Sequence, residues 1–393
     1  MKKQFLLTLW IVLIVNWLIW LWFYLFNNNF TVLYYWWNVS STWWIALNKK
    51  ETVITQHITK IYNITNLQSQ VIDTVKKVWS SVVSIVISKD LNVYYYSDPF
   101  SLKPFVEKEK RKIWWGSGII VSKKGYILTN KHVVADLDAD YSVVTKKWNI
   151  YKVDKIWTDP ILDLAIIHVV NKDGTETYDL EPAKLINFNA DIKVGEFVLA
   201  IWNPFAEYSN SVSFGILSAK WRKLENNNWS LYIWLYQTDT AINPWNSWWP
   251  LIDIDWQVIG VNTAISAQWW GIWFSIPVNK SFVDSMLKSI QRNWVIKRPL
   301  LWVWVIQLDK TIAKQYKLDR YNWVFVQKVV KNSPAYIWWI KKWDIILEVD
   351  GVKLSQDKPL IYTIFTHNIW DKIELLIDRK WKVFKKKFTL FEF

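Results

Sequence analysis

The pattern of apolar and polar residues divides the chain into an N-terminal apolar stretch, a polar segment and a long body. The apolar stretch runs from Phe5 to Phe26 and is interrupted only by Thr8 and Asn16. About 20 apolar residues are enough to cross a bilayer as a helix, so the pattern predicts a transmembrane anchor. Residues 27–70 are polar, rich in Asn and Thr and poorly periodic, which is typical of a tether.

The orientation of this anchor follows from its charges. Lys2 and Lys3 precede the apolar stretch and favour a cytoplasmic N-terminus, which places the rest of the chain outside the cytoplasm. A cleaved signal peptide is the alternative interpretation. Because Asn27-Asn28-Asn29 follows the stretch in place of a small-x-small cleavage site, we favour an uncleaved anchor.

Short apolar runs separated by turn residues fill the body. Strand-like sequence begins at Ser81–Ile87, and the pattern continues from Ile113 to about Pro277, which predicts an all-β barrel or sandwich. Between these two parts, Tyr94–Lys112 interrupts the pattern with aromatic residues, two prolines and a run of charges. Val278–Arg292 has the spacing of a helix, and a linker follows it before a second unit.

Composition adds one anomaly: the chain has 33 Trp and only 9 Gly among 393 residues. Ordinary chains hold roughly 7% Gly, so most of the expected glycine is missing. Many tryptophans stand in turn contexts, such as Trp36-Trp37, Trp269-Trp270-Gly271 and Asp255-Trp256, where glycine is favoured and a bulky side chain is penalised. Our hypothesis is that most of them are glycine in the cell, encoded by UGA codons that the source organism reads as Gly. A truly Trp-rich protein that binds sugars or membranes is the alternative.

The net charge of +14 and the absence of cysteine narrow the function classes only a little. Lysine is spread along the chain and no nucleic-acid-binding motif is present, so we predict no nucleic-acid partner. A basic nucleic-acid-binding surface is the alternative. Without cysteine the chain forms no disulfide and cannot use a thiol as a nucleophile.

One stretch, residues 237–250, carries the strongest functional signal. It reads Q-T-D-T-A-I-N-P-W-N-S-W-W-P, and with glycine at residues 245, 248 and 249 its end becomes T-A-I-N-P-G-N-S-G-G-P. That string resembles the nucleophile loop of trypsin-like serine proteases, and in particular that of the HtrA/Deg family. The resemblance covers roughly residues 70–393 and implies a chymotrypsin/trypsin-like double β-barrel.

Two further motifs complete a candidate triad. His132 lies in I-L-T-N-K-H-V-V, which is similar to the family's catalytic-histidine motif, and Asp163 lies in D-P-I-L-D-L-A-I-I, which resembles its aspartate motif. Together with Ser247 they follow the chain order of chymotrypsin-type proteases. The resemblance implies that His132 takes the proton of Ser247 and that Asp163 fixes the imidazole tautomer.

The resemblance also implies an oxyanion hole made by the backbone N–H groups of residue 245 and Ser247. Trp245 would strain this loop, and Trp248 and Trp249 would collide with the strands behind the nucleophile, whereas glycine at these positions gives a competent loop. No acidic residue is evident at the base of the substrate pocket. We therefore predict a preference for small or medium apolar residues before the cleaved bond.

The C-terminal unit resembles a PDZ domain. Arg298–Val305 is similar to the loop that binds a peptide carboxylate in this family, and Ser333–Gly351 resembles a second, longer PDZ motif. The implied carboxylate-binding residues are Leu301, Trp302 and Val303, with glycine in place of Trp302, and the implied ligand is a C-terminal peptide that adds as a strand. An undefined α+β module is the alternative.

These expectations combine into a mainly β protein, in which a double β-barrel and then an α+β PDZ domain follow an N-terminal transmembrane helix. The predicted parts are a cytoplasmic tip and anchor (1–26), a linker (27–75), the protease domain (76–292) and the PDZ domain (299–393). The resemblance implies an ATP-independent, extracytoplasmic serine endopeptidase of protein quality control or stress signalling, which forms a homotrimer, cleaves unfolded or regulatory proteins and needs no metal or organic cofactor. A catalytically inactive scaffold that senses peptides through its PDZ domain is the alternative.

Overall fold

The structure is a computed structural model, and its described residues are 66–95, 105–202, 211–224, 232–241, 249–265, 271–308, 314, 323–356 and 358–392. The chain divides into two compact units, Met1–Ser69 and Gln70–Phe393. The predicted anchor, the tether up to residue 65 and Ser247 lie outside the described residues. Among the residues that are described, no helix is long and apolar enough to span a membrane.

Helical residues 66–78 (α1) and a 3-10 turn, Trp79–Ser81, lead into a closed antiparallel barrel of six strands. Its order is β1-β2-β3-β6-β5-β4, and the strands are β1 Val82–Tyr95, β2 Phe105–Ile120, β3 Tyr126–Thr129, β4 Asp140–Val144, β5 Ile150–Thr158 and β6 Ala165–Val170. Alternate residues of each strand point inward. Ile85, Ile127, Val143 and Ile167 are therefore fully buried in the barrel core.

The charged segment that interrupts the sequence pattern belongs largely to strands. β1 and β2 form a long hairpin in which Asp90 lies opposite Lys110 and Leu91 lies opposite Glu109. Opposite charges on facing strand positions stabilise such a pair, and a ribbon that extends past the core needs no apolar alternation. The expected interruption at Tyr94–Lys112 was therefore too broad, because the strands include Tyr95 and resume at Phe105.

A second β structure follows, in the order β11-β8-β9-β10-β13-β12-β7, and an additional pairing of β11 with β12 closes six of its strands into a ring. The strands are β7 Lys184–Leu185, β8 Phe197–Trp202, β9 Ser211–Leu224, β10 Tyr232–Thr238, β11 Pro250–Asp253, β12 Gln257–Ile265 and β13 Trp273–Pro277. The mainly β, double-barrel prediction is thus confirmed. Helix α2, Lys280–Asn293, is also close to its predicted position, and Asn279 caps it by accepting the N–H of Phe282 at 2.9 Å.

The C-terminal part of the unit is a smaller sheet with two short helices. Five strands run in the order β15-β16-β17-β19-β20, β18 pairs with β17, and β14 pairs with β21. The bounds are β14 Pro299–Leu300, β15 Val303–Gln307, β16 Val324–Val329, α3 Pro334–Ile337, β17 Ile345–Val349, β18 Val352–Lys353, α4 Leu360–Ile364, β19 Lys372–Arg379, β20 Lys382–Thr389 and β21 Phe391–Glu392. Its own apolar core includes Val326, Ile346 and Leu375, which are fully buried.

The backbone bears directly on the tryptophan anomaly. Among the described residues, thirteen that are not glycine have φ in the left-handed region, and ten of these are tryptophan. They are Trp148, Trp221, Trp234, Trp256, Trp294, Trp302, Trp339, Trp343, Trp370 and Trp381. Glycine adopts this region freely and a bulky residue does so only under strain. In addition, the buried indole N–H groups of Trp221 and Trp302 have no hydrogen-bond partner among the described residues, as expected if no indole belongs there.

Candidate active site

His132 and Asp163 lie side by side at the adjacent ends of two paired strands. β3 ends at Thr129 and leads into the 3-10 turn Lys131–Val134, while β6 begins at Ala165, directly after the Asp163 turn. Thr129 pairs with Ala165, so the strand register brings the two site residues together. His132 Nδ1 lies 2.6 Å from Asp163 Oδ2.

Four hydrogen-bond donors converge on the Asp163 carboxylate. Its Oδ1 accepts the main-chain N–H of His132 at 3.1 Å. Its Oδ2 faces the His132 ring, the Thr263 hydroxyl at 2.6 Å and the Asn130 amide at 3.3 Å. A carboxylate oxygen only accepts, so this arrangement selects the ring tautomer with a proton on Nδ1. The Asp163 side chain is 7% exposed and that of His132 is 39% exposed, so the imidazole ring is accessible while the carboxylate that orients it is buried.

Thr263 is a site residue that the sequence analysis missed. It lies in β12, in the second β structure. Its contact with Asp163 joins residues that are 100 positions apart. No local sequence signal marks such a contact, because it depends on how the two barrels pack together.

A buried ion pair supports the turn that carries Asp163. Asp159 Oδ1 accepts the N–H groups of Ile161 and Leu162, each at 2.9 Å. Its Oδ2 accepts Arg298 Nε at 2.6 Å, and both side chains are at most 1% exposed. Arg298 comes from the segment before the C-terminal sheet, so the conformation of the Asp163 turn depends on a residue far along the chain.

A second His–Asp pair lies on β6 and the neighbouring strand β5. His168 stands opposite Tyr126 at the far end of the β3–β6 pairing. Its Nδ1 is 2.7 Å from Asp154 Oδ1, and its Nε2 is 3.3 Å from Glu176 Oε2. The ring of His168 also packs on that of Tyr126, with 4.9 Å between the ring centroids.

Comparison with known proteins gives this geometry a context. Residues 116–261 match the family described as "Trypsin-like peptidase domain". A "Probable periplasmic serine endoprotease DegP-like" of Pseudomonas fulva is 37% identical over 249 residues, which is 62% of this chain and 49% of that protein. A protein of the same name from Hahella chejuensis is 33% identical over 290 residues, covering 73% of this chain and 58% of its own length.

Solved structures agree with these relatives. The "HtrA-type protease AlgW with decapeptide" aligns with a TM-score of 0.56 and 26% identity, covering 81% of this chain and 98% of that chain. The same protein with a tripeptide gives a TM-score of 0.54 and 26% identity, with coverages of 81% and 96%. The chain belongs to the HtrA/Deg family of serine proteases. It spans about half the length of the curated relatives that it matches first.

The nucleophile loop of this HtrA/Deg chain is described only at its two ends. Ser247 and Trp245 lie within residues 242–248, outside the described residues. On the exit side, Trp249 is buried, and its carbonyl accepts the N–H of Asn262 at 2.9 Å. Asn262 directly precedes Thr263, so the loop leaves the site beside the strand that contacts Asp163.

The three predicted carboxylate-binding residues lie where the C-terminal sheet begins. Leu301 is buried, Trp302 has a φ of 58° and Val303 opens β15. The Trp302 carbonyl accepts the N–H of Val330 at 3.2 Å, which ties the turn to the end of β16. A left-handed residue at this point is consistent with glycine at residue 302.

Metal ligation has no candidate within the part of the chain that the structure describes. No group of three or more His, Cys, Asp or Glu side chains there is arranged to hold a metal ion.

Proposed function

We propose that this HtrA/Deg chain is an ATP-independent serine endopeptidase that cleaves unfolded or regulatory proteins outside the cytoplasm. The observation that carries the proposal is that the partly exposed His132 ring contacts a buried Asp163 carboxylate through Nδ1 at 2.6 Å. A histidine held in this way can act as a general base. The chain order His132, Asp163, Ser247 supplies that nucleophile in the pattern of chymotrypsin-type proteases.

In the proposed reaction His132 takes the Ser247 proton as the hydroxyl attacks the peptide carbonyl. Asp163 stabilises the imidazolium that forms, and His132 then protonates the leaving amine. Water repeats the sequence on the acyl-enzyme and releases the second product. The backbone N–H groups of residue 245 and Ser247 would bind the oxyanion, and removing one such donor costs about 10²–10³ in rate.

This mechanism requires glycine at residue 245. The ten tryptophans with left-handed φ support the recoding hypothesis elsewhere in the chain, and the same codon would then supply glycine at residues 245, 248 and 249. The alternative function, an inactive protease-fold scaffold, is favoured only by the literal sequence of this loop, because an indole at residue 245 would obstruct the acyl site.

Tandem mass spectrometry of the protein from its natural source decides between the two functions. We expect glycine at residues 245, 248 and 249. A serine-directed phosphonate should label Ser247, and the Ser247→Ala variant should neither be labelled nor cleave casein. Tryptophan at residue 245, or unlabelled Ser247 in a glycine-containing protein, would reject the active protease.

We also propose that a C-terminal peptide controls this activity by binding to the C-terminal unit as to a PDZ domain. β15 lies at the edge of its sheet, directly after the candidate carboxylate loop at Leu301, Trp302 and Val303. An edge strand can pair with an added peptide strand, while loop N–H groups hold the carboxylate. The related AlgW has been solved with a decapeptide and with a tripeptide, which makes peptides the ligand class to test first.

Contacts between α4 and helix α2, which follows the second β structure, would transmit the effect of peptide binding to the protease domain. The Tyr362 hydroxyl accepts the amide of Asn279 at 2.8 Å, and burial raises the pKa of this hydroxyl. One residue beyond α4, the Phe365 carbonyl accepts the Ser285 hydroxyl at 2.9 Å.

We expect decapeptides with an apolar C-terminal residue to bind in fluorescence polarisation and to raise kcat, and their C-terminal amides to do neither. Equal effects of acid and amide would reject carboxylate recognition.

The proposed assembly is a membrane-anchored homotrimer. Phe197 and Phe214 stack with 5.0 Å between their ring centroids on β8 and β9, yet both are substantially exposed. Exposed aromatic pairs of this kind are typical of interfaces between copies of a chain. Sedimentation of the full chain in detergent should give trimers, and Phe214→Lys should give monomers. Membrane fractionation of source cells tests the anchor at residues 5–26.

A further inference from the structure

Asn130 has an unusual set of hydrogen bonds for a fully buried amide. Its side chain is 0% exposed. Its Nδ2 donates to the main-chain carbonyl of Asp163 at 3.0 Å and faces Asp163 Oδ2 at 3.3 Å. Its Oδ1 is buried with no partner among the described residues. Both hydrogen-bond contacts of this side chain are therefore with Asp163.

Chemistry fixes the orientation of the amide. Turning it over would place Oδ1 against two acceptors, the Asp163 carbonyl and carboxylate, and would leave the NH₂ group without them. The NH₂ group must therefore face Asp163. A buried carbonyl without a partner is costly, and such a cost at a candidate active site calls for a compensating role.

The position of Asn130 explains what that role would be. The β3–β6 pairing ends with Thr129 opposite Ala165. Beyond it, the Asn130 side chain supplies the next hydrogen bond across the gap, and two residues later the His132 N–H supplies another to Asp163 Oδ1. The side chain thus extends the pairing of the two strands to the residues that carry the His–Asp contact.

We propose that Asn130 is a positioning residue for the triad, which sets both the main chain and the carboxylate rotamer of Asp163 against His132. The inference rests on the proposed protease function. Thr263 contacts only Oδ2, so it can orient the carboxylate but not the backbone. The Asn130 side chain joins the main chain of Asp163 directly to the strand end that carries His132.

Two substitutions separate the donor from the shape of the side chain. Asn130→Asp keeps the shape but replaces the NH₂ donor with an oxygen, and Asn130→Ala removes both. We expect each to lower kcat by about 100-fold, the order seen when a reacting group is misplaced by about an ångström. KM should change less than threefold, because no contact with substrate is lost.

A readout that does not depend on catalysis is the tautomer of His132. In the full chain with glycine at residues 245, 248 and 249, ring ¹⁵N shifts should report a single Nδ1–H tautomer. Asn130→Asp and Asn130→Ala should introduce the Nε2–H tautomer. Thr177→Ala is the matched control: Thr177 is another buried polar side chain, its hydroxyl donates to Asp179 in the segment after β6, and its loss should leave both kcat and tautomer unchanged.

The outcomes are distinct. Variants that lose thermal stability but keep kcat and the Nδ1–H tautomer would reduce Asn130 to a structural residue and overturn the proposal. If the unsubstituted chain hydrolyses nothing, the proposed function fails, yet the tautomer still tests whether Asn130 positions Asp163. A shift of tautomer in Thr177→Ala equal to that in the Asn130 variants would also overturn it.

Discussion

The first barrel carries two His–Asp pairs with almost the same contact, one at the adjacent ends of β3 and β6 and the other on β5 and β6. His132 Nδ1 lies 2.6 Å from Asp163, and His168 Nδ1 lies 2.7 Å from Asp154. The difference is in what surrounds them. The His168 ring is 6% exposed and its Nε2 faces Glu176, whereas the His132 ring is 39% exposed.

The burial of the two partners is reversed as well. Asp163 is the buried member of its pair and Asp154 the more exposed member of the other. A fixed carboxylate beneath an accessible ring can orient a base toward a substrate. A buried ring between two carboxylates can only hold strands together. The His–Asp contact by itself therefore does not identify a catalytic site, and the exposure of the ring separates the two.

The largest expected effect tests this assignment directly. In the glycine-containing chain, His132→Ala should lower kcat/KM by about 10⁴-fold or more, because the general base is lost. His168→Gln should leave kcat/KM within about threefold while lowering the unfolding temperature. Steady-state hydrolysis of a fluorogenic peptide, together with thermal unfolding, measures both.

The opposite effects of the two substitutions would contradict this assignment. A large loss of rate in His168→Gln at unchanged stability would make the second pair part of the machinery. Activity retained in His132→Ala would remove the proposed mechanism altogether.

A smaller effect tests the support of the Asp163 turn. Arg298→Met leaves Asp159 buried without its partner, which should lower the free energy of unfolding by about 3–5 kcal/mol. Adding Asp159→Asn should restore part of this loss, because no unpaired charge then remains. Urea unfolding measures both, and kcat should fall with Arg298→Met because Asp159 also holds the N–H groups of Ile161 and Leu162.

Arg379→Met is the matched control for this experiment. Arg379 binds Asp344 with the same 2.6 Å contact from Nε, but within the C-terminal sheet, and Asp344 is likewise fully buried. It should reduce stability and leave kcat of the protease unchanged. Equal losses of kcat in both variants would show that the Asp159 turn has no special link to the site.

The sequence predicted the acid–base half of the site better than its surroundings. The motifs around His132 and Asp163 are local and several residues long, so each could be placed without knowing the fold. Thr263 contributes through packing across 100 residues, and no pattern along the chain records that. Asn130 was visible inside the histidine motif, but only the structure shows that its amide binds Asp163.

The fold shows the same division. Alternation predicted the barrels, and the helix after Pro277 is close to its expected place. The β1–β2 hairpin was obscured because its outer half alternates charge rather than hydrophobicity. Tryptophan obscured turns that glycine would have marked, such as residue 148 between β4 and β5, where φ is 63°.

The smallest effect concerns the segment that brings Glu176 to His168. A hydrogen bond from the Thr177 hydroxyl, and a weaker contribution from that of Tyr151, lower the pKa of Asp179. A carboxyl whose pKa is lowered by folding adds stability above its unfolded pKa and loses it as pH falls through the folded one. Because Asp179 is largely exposed, we expect Asp179→Asn to cost at most about 1 kcal/mol at pH 7, and this difference to shrink as pH falls below the ordinary pKa of an aspartate, about 3.9. Urea unfolding of both proteins at pH 7, 5, 4 and 3 measures it. A difference that stays constant from pH 5 to pH 3 would mean that the amide disturbs packing, whereas one that shrinks over this range with unchanged kcat assigns this network to the structural pair alone.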